Sequence, residues 1–236
     1  MTSIKDLTVN TDLFPGFESR LVDALGSRIF ARVGGPASGP AIALLHGFPE
    51  THASWHRIAP GLADTHRVVC IDLKGYGLSS APAGDGGREA YTKRTMAREV
   101  AATMTALGHA RFSVVGHDRG ALVGYRLALD MPDRIERLAI LDNLPTFVIW
   151  EMMAADPTVT PHWRTMAEPA PKAEAMLDRR YMETMLRVHT ADDTLDYFDP
   201  DAIEDYRRNW AEPRAVQRFR MTVSESRFLM PARPAR

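Results

Sequence analysis

The sequence predicts an α/β protein, with a mostly parallel sheet that helices cover on both faces. Nearly continuous apolar runs, such as AIALL from residue 41 and VVCI from residue 68, are typical of strands buried on both faces. These runs alternate with segments of helical periodicity, and that alternation favours parallel strand order. The chain of 236 residues is long enough for one large α/β domain, or for a core with an insertion.

The first strands are recognised by their apolar pattern and by the glycines that end them. SRLVDA and SRIFARVGG alternate apolar and polar residues on either side of Gly26, which predicts a β-hairpin. AIALLHGFP, from Ala41, is an apolar strand that ends in a glycine turn. RVVCIDLKGYGLSS, from Arg67, repeats that design, with Gly75 and Gly77 in the loop after the strand.

The next elements alternate between helix and strand. Apolar residues recur at helical spacing between Thr92 and Leu107, and Gly108 is placed to cap the end of this helix. FSVVG, from Phe112, predicts a strand, and a helix opens directly after it at Arg119. RLAILDN then predicts the sixth strand.

The sequence pattern changes after Pro145, where segments of helical periodicity replace the apolar strand runs. KAEAMLDRRYMETMLRV predicts one helix, and DPDAIEDYRRNW predicts another, with Asp199 as its N-cap and Pro200 at its first position. A helical block in this place suggests a lid that excludes water from a site at the strand ends. We therefore divide the chain into an α/β core of six strands (1–145), a helical cap (146–216) and an atypical tail (217–236).

Composition and charge indicate a soluble globular protein. The formal net charge of -1 gives no reason to expect nucleic acid or an anionic membrane as a partner. The single cysteine, Cys70, cannot form an internal disulfide, which fits a reducing compartment. The start of the chain lacks the apolar run of a signal peptide, so we expect a cytoplasmic protein. Self-association into a homodimer is left open.

The segment GHDRG, from Gly116 to Gly120, is predicted to hold the catalytic nucleophile. It fits the G-x-nucleophile-x-G turn between a strand and a helix, in which small neighbours let the chain pass. The central residue is Asp118, beside a helix N-terminus that favours an anion. A carboxylate is ionised at neutral pH and needs no base for activation. It can displace a leaving group from saturated carbon and form an ester that water must hydrolyse.

From Phe17 to Val216 the chain resembles the α/β-hydrolase superfamily, and most closely its fluoroacetate or haloacetate dehalogenase branch. The resemblance is carried by LLHGFPETHASW, DLKGYGLSS, VVGHDRGALVGYRLALDMPDRI, LAILDNLPT and HWRTMAEPAP. The Asp-Arg pair after GH and the His-Trp pair are its selective features. Haloalkane dehalogenases and epoxide hydrolases typically have tryptophan where this chain has Arg119.

The resemblance implies a role for each matching residue. Asp118 would be the nucleophile, and Asp142 the acid that orients the catalytic histidine. The backbone N–H groups of Phe48 and Arg119 would form the oxyanion hole, and the Arg119 side chain would bind the substrate carboxylate. His162 and Trp163 would donate hydrogen bonds to the departing halide. No cofactor or metal is implied.

For three of these residues, a purely structural role remains an alternative. Asp142 could instead form a turn at the end of a strand. His162 and Trp163 could instead pack as an aromatic pair on the core. His46 and His117 flank the site in the sequence, and we assign both to structure.

Two departures from the family bear on activity. Leu122 stands where the family carries a second arginine for the substrate carboxylate, so less polar substrates should be admitted. After Val216 the resemblance stops, and the tail lacks the seventh and eighth strands, the C-terminal helix and the late histidine that acts as base. Only His162 and His189 follow the sixth strand. A shifted reading frame, a premature end or a divergent terminus would each explain this.

Three functions are therefore weighed. The leading one is a haloacid hydrolase that forms an aspartyl ester, impaired here because the base is absent. The second is an epoxide hydrolase, which would need tyrosines such as Tyr181, Tyr197 or Tyr206 over the site. The third is a non-catalytic, truncated product, whose sixth strand would be an exposed apolar edge. Whether the chain as written is an active enzyme is left open.

Overall fold

A single mixed sheet organises the protein. The computed structural model describes residues 13–81, 88–166 and 177–210. Within them, six strands pair in the order β1-β2-β4-β3-β5-β6. The strands are β1 (Glu18–Ala24), β2 (Ser27–Gly34), β3 (Ala41–Leu45), β4 (Arg67–Ile71), β5 (Phe112–His117) and β6 (Ile135–Leu141).

Helices connect the strands and then continue beyond the sheet. Those that follow the first strands are α1 (Ala59–Leu62), α2 (Lys93–Ala106) and α3 (Arg119–Asp130). The later ones, which we call the cap helices, are α4 (Thr146–Ala155), α5 (Pro161–Met166), α6 (Arg179–Arg187) and α7 (Pro200–Trp210).

The strand directions confirm the predicted fold class. β3, β4, β5 and β6 run parallel to one another, so their carboxyl ends meet at one edge of the sheet, whereas β2 pairs antiparallel with β4. β1 and β2 form the predicted antiparallel hairpin. Leu25 and Gly26 turn it with φ values of 53° and 86°, as expected for a tight hairpin turn.

Apolar side chains cover both faces of the sheet. Met96, Val100 and Met104 of α2 pack on the face where Val69, Ile71 and Val114 lie. The opposite face packs Phe14, Phe17 and Trp55 against Leu44, Val68 and Cys70. These two layers make the sheet a buried one, as its continuous apolar strands predicted.

The predicted caps at Gly108 and Asp199 are confirmed. The Thr92 side chain accepts a hydrogen bond from the Thr95 N–H at the start of α2, and Gly108 follows its end with φ 93°. Asp199 accepts from the Asp201 N–H at 2.9 Å and caps α7. The helix predicted from residue 172 to 188 begins at Arg179, because Asp178 caps it there. Residues 172–176 lie outside the described part.

α7 is fastened to the loops at the carboxyl ends of β3 and β4. The Trp210 indole N–H donates to the Pro49 carbonyl at 2.8 Å. The Asn209 side-chain oxygen accepts from the Gly77 N–H at 3.0 Å. This places the cap helices beside the strand ends. The domain boundaries at residues 145 and 216 stay predictions, and the tail from 217 lies outside the described residues.

β6 is the outermost strand of the described sheet, and its side chains are poorly covered. It pairs with β5 alone among the described strands. Ile140 is 39% exposed and Leu141 41% exposed. An apolar edge strand offers unpaired backbone groups to another chain. Within the described residues, no helix is both long and apolar enough to span a bilayer.

Replacing Ile140 with lysine should weaken self-association, because a charge on an edge strand opposes strand pairing. We expect the unmodified chain to form dimers or larger species as its concentration rises. Ile140→Lys should raise the dissociation constant at least about tenfold, or ~1.4 kcal/mol. Analytical ultracentrifugation over a concentration series measures this. Ile58→Lys, at an exposed position before α1, is the matched control. A monomer at every concentration contradicts the prediction.

Candidate active site

The turn between β5 and α3 holds Asp118 in a strained conformation. Its backbone has φ 45° and ψ -110°, a region that residues other than glycine rarely adopt. The Asp118 N–H donates to the Leu141 carbonyl at 3.2 Å, and the Gly120 N–H donates to the His46 carbonyl at 3.0 Å. Hydrogen bonds to two neighbouring strand ends thus hold the turn that the GHDRG motif predicted.

The two glycines of the motif are required by close backbone contacts. A Cβ on Gly116 would lie 2.4 Å from the Gly120 carbonyl oxygen. A Cβ on Gly120 would lie 2.2 Å from the Leu45 carbonyl oxygen. Both distances are far below a van der Waals contact. The spacing G-x-D-x-G is therefore a packing requirement.

The Asp118 carboxylate meets a backbone donor from a distant segment. The Phe48 N–H donates to Asp118 Oδ1 at 2.8 Å. The Asn143 side-chain amide donates to the Asp118 backbone carbonyl at 2.6 Å. This contact of Asn143 was not predicted from the sequence. Its position directly after Asp142, at the end of β6, could have indicated that Asn143 lies at the site. The predicted role of the Arg119 backbone N–H in the oxyanion hole stays a prediction.

Two aromatic groups hold the Arg119 side chain. Arg119 Nη1 donates to the Tyr76 hydroxyl at 2.5 Å. The guanidinium carbon lies 4.4 Å from the centre of the Phe48 ring. Arg119 is buried, and these contacts fix its direction. Leu122 is 3% exposed and packs in the core, so the position of the family's second arginine provides no charge.

All the residues that the sequence placed at the site line one cavity of about 270 Å³ between the strand ends and the cap helices. They are Phe48, Asp118, Arg119, Asp142, His162 and Trp163. Asp142 follows β6 with φ 49°, which fits its predicted place at the strand end. The catalytic roles of these residues are not decided by their position. Within the described residues, no cluster of three His, Cys, Asp or Glu side chains could hold a metal ion.

His162 and Trp163 bring nitrogen donors into the cavity from α5. Burial lowers the pKa of His162, and the nearby Arg119 charge lowers it further, against an opposite effect of Asp118. His162 is therefore neutral at neutral pH. Trp163 is buried and meets the Trp150 ring edge-to-face, with centroids 5.8 Å apart. Trp163 thus packs on Trp150 and lines the cavity, and the halide-binding role of His162 and Trp163 stays a prediction.

The two histidines assigned to structure differ in their surroundings. His46 is fully buried, and both ring nitrogens are bonded to backbone: Nδ1 lies 2.8 Å from the Gly47 carbonyl, and Nε2 accepts from the Leu73 N–H at 3.1 Å. Burial lowers its pKa. His117 lines the cavity, so its purely structural assignment is incomplete. Its Nδ1 lies 3.3 Å from Glu50 Oε2, a contact that sequence reasoning missed.

Comparison with known proteins agrees with this geometry. Residues 40–220 match the family described as the alpha/beta hydrolase fold. Fluoroacetate dehalogenase of a Burkholderia species is 43% identical over 210 residues, 86% of this chain and 67% of that protein. Soluble epoxide hydrolase of Corynebacterium sp. strain C12 is 38% identical over 111 residues, 47% of this chain and 37% of that protein.

A solved structure extends the likeness to the fold. It is a mutant of a Pseudomonas aeruginosa protein provisionally described as an epoxide hydrolase. It superposes with a TM-score of 0.83 at 36% identity and covers 93% of this chain and 73% of that one. The chain thus spans about two thirds to three quarters of the two proteins that it matches along most of its own length.

Replacing Gly120 with alanine should destabilise the fold by about 3 kcal/mol, at the upper end of the usual cost of overpacking. The added methyl would meet the Leu45 backbone, which cannot move without breaking β3. Gly61→Ala is the control, since nothing lies within 4 Å of its added Cβ. In α1 that change should be neutral or stabilising by up to about 1 kcal/mol. Urea unfolding of both variants measures the difference, and equal free energies of unfolding would refute the packing account.

Proposed function

The chain belongs to the α/β-hydrolase fold family, in its haloacetate dehalogenase-like branch, and we propose that it cleaves the carbon–halogen bond of a small haloacid through an ester on Asp118. The observation that carries this proposal is the Asp118 carboxylate on the cavity wall, bonded to the Phe48 N–H and adjacent to Arg119. The fluoroacetate dehalogenase relative, at 43% identity, supports the substrate class.

In the first step, a carboxylate oxygen of Asp118 attacks the halogen-bearing carbon from the side opposite the halogen. A carbon–oxygen bond forms as the carbon–halogen bond breaks, and the halide leaves with the electron pair. His162 and Trp163 donate N–H hydrogen bonds to that halide from α5. A neutral His162 is suited to this task, because one ring nitrogen then donates without adding a permanent charge.

The Arg119 guanidinium binds the carboxylate of the haloacid. Tyr76 and Phe48 fix its direction, so little side-chain entropy is lost when the substrate binds. With Leu122 in the core, one arginine performs a task that the resemblance gives to two. The loss of one charge-assisted contact, roughly 1.5–3 kcal/mol, weakens haloacid binding and admits less polar substrates.

In the second step, water attacks the ester carbonyl carbon, and the Phe48 N–H stabilises the resulting oxyanion. Asp142, at the end of β6, stands where the resemblance puts the carboxylate that orients a base histidine. A general base that takes a proton from this water typically accelerates such a step by about 10²–10⁴-fold.

An epoxide hydrolase is the second candidate, because the Corynebacterium relative carries that name and the mechanism also begins at an aspartate. It needs tyrosine hydroxyls at the site to protonate the epoxide oxygen. Tyr206 is buried against Trp210, and Tyr197 is 52% exposed. The Tyr181 hydroxyl is buried near Arg119, but none of the three tyrosines lines the cavity. The haloacid proposal therefore has the stronger support.

Chloroacetate should alkylate Asp118, because the first step needs no base. We expect the intact mass to rise by one carboxymethyl group and peptide mapping to place it on Asp118. Asp118→Asn should abolish the adduct, whereas Asp133→Asn, at an exposed acid on the far side of α3, should leave it unchanged.

The same assay separates the alternatives. Styrene oxide in place of chloroacetate gives a larger adduct on Asp118 if the chain is an epoxide hydrolase. Cooperatively folded protein that reacts with neither compound is the non-catalytic product, and the proposal then fails.

Trp163→Phe should lower the chloroacetate alkylation rate about 10–100-fold, because one N–H donor to a developing anion is lost, roughly 1.5–3 kcal/mol. Trp150→Phe is the matched control, since Trp150 packs on Trp163 without lining the cavity. It should change the rate less than about threefold. Rapid-quench mass spectrometry gives both rates. Equal losses in the two variants would mean that Trp163 acts by packing alone.

A further inference from the structure

His117 is a cavity histidine held by a carboxylate. It is the last residue of β5, directly before Asp118. Its Nδ1 lies 3.3 Å from Glu50 Oε2, and Glu50 Oε2 also accepts from the Gly47 N–H at 3.2 Å. Glu50 is thereby fixed to the turn that carries Phe48. An imidazole that donates Nδ1–H to a fixed carboxylate keeps a free lone pair on Nε2.

The imidazole lies close to the proposed ester. A Cβ built on Gly47 would be 2.7 Å from His117 Nδ1 and 2.8 Å from Asp118 Cβ. Both side chains therefore lie against Gly47, within about 5.5 Å of each other at these two atoms. His117, Asp118 and Asp142 line the same cavity, so water there can reach all three.

The charges that face His117 favour its taking up a proton. The hydrogen bond with Glu50 raises its pKa most among the favourable contributions, and the Asp118 and Asp142 carboxylates raise it further, against the effect of burial. These carboxylates come from the β3 loop, the β5 turn and the end of β6. During hydrolysis Asp118 is an uncharged ester, so the Glu50 and Asp142 carboxylates are the groups that stabilise an imidazolium at His117.

The other cavity histidines are placed differently. His162 lies on α5 beside the Arg119 charge, and its pKa is lowered, which opposes proton uptake. His189 Nδ1 lies 2.6 Å from the Met185 carbonyl, on the cap side of the cavity. All eight histidines of the chain lie between residues 46 and 189, within the described part. Of the three that line the cavity there, His117 alone has a carboxylate partner.

We propose that His117, oriented by Glu50, is the general base that hydrolyses the Asp118 ester in this chain. The inference rests on the proposed function, since it acts on the ester which that function forms. His117 Nε2 takes a proton from water as the water oxygen bonds to the ester carbonyl carbon. The bond from that carbon to the alkyl oxygen then breaks, and the alkyl oxygen receives the proton from the imidazolium. The hydroxy acid leaves, and the regenerated Asp118 carboxyl group releases its proton to solvent.

A structural role for His117 predicts a different outcome. If the Glu50 contact only holds the Gly47 turn, then loss of His117 would disturb the Phe48 N–H and slow both steps alike. A base acts on the second step alone. The two roles are therefore separated by measuring the formation and the decay of the ester independently.

The test follows the carboxymethyl adduct of the full chain by rapid-quench mass spectrometry after one pulse of chloroacetate. We expect His117→Gln to leave the formation rate within about twofold and to lengthen the adduct lifetime by about a hundredfold or more, from the lower end of general-base effects upward. Glu50→Gln should lengthen it less. His56→Gln, a half-buried histidine that does not line the cavity, should change neither rate.

Two further measurements do not depend on how the glutamine variant folds. In the unmodified chain, the decay rate should rise with pH as His117 loses its proton, above the ordinary histidine value of 6.5 because its pKa is raised. In His117→Ala, added imidazole should shorten the adduct lifetime. An adduct that decays equally fast with and without His117 overturns the inference but leaves the proposed function standing. If no adduct forms in the unmodified chain, then the proposed function fails, and this inference fails with it.

Discussion

The strained backbone of Asp118 is the constraint on which the rest of the site depends. With φ 45° and ψ -110°, it directs the carboxylate away from the strand and toward the Phe48 N–H. Such a conformation costs about 1–3 kcal/mol and persists only where its surroundings hold it. The bonds from Asp118 to Leu141 and from Gly120 to His46 provide that support. Because those partners end β6 and β3, the turn requires the parallel sheet to be in register.

A buried layer behind the turn supports the Arg119 side chain. The His46 ring packs edge-to-face on Tyr76, with centroids 4.9 Å apart, and the Tyr76 hydroxyl accepts from Arg119. Burial lowers the pKa of His46, so its neutral ring continues to accept from the Leu73 N–H. The direction of the Arg119 guanidinium is thus set by Tyr76, on which His46 packs, and by the Phe48 ring. Because Arg119 is held in this way, we propose that a single arginine is sufficient to bind the substrate carboxylate.

Local patterns predicted much of this structure, whereas contacts between distant segments could not be predicted. The hairpin at Gly26 and the turn at Asp118 follow from short motifs whose geometry is determined within a few residues. The convergence of Phe48 and Asp142 on one cavity follows from the shared edge of parallel strands. The pairing of Glu50 with His117 spans 67 residues and depends on how β3 registers against β5. Periodicity carries no information on that register.

The central claim is that the reaction passes through an ester on Asp118 and that water attacks this ester rather than the substrate. Turnover of chloroacetate in water enriched in oxygen-18, followed by mass spectrometry of the peptide that contains Asp118, tests it most directly. The account predicts that the heavy oxygen enters the Asp118 carboxylate and that the product of the first turnover carries ordinary oxygen. Heavy oxygen found in the first product, with none in the peptide, would contradict it.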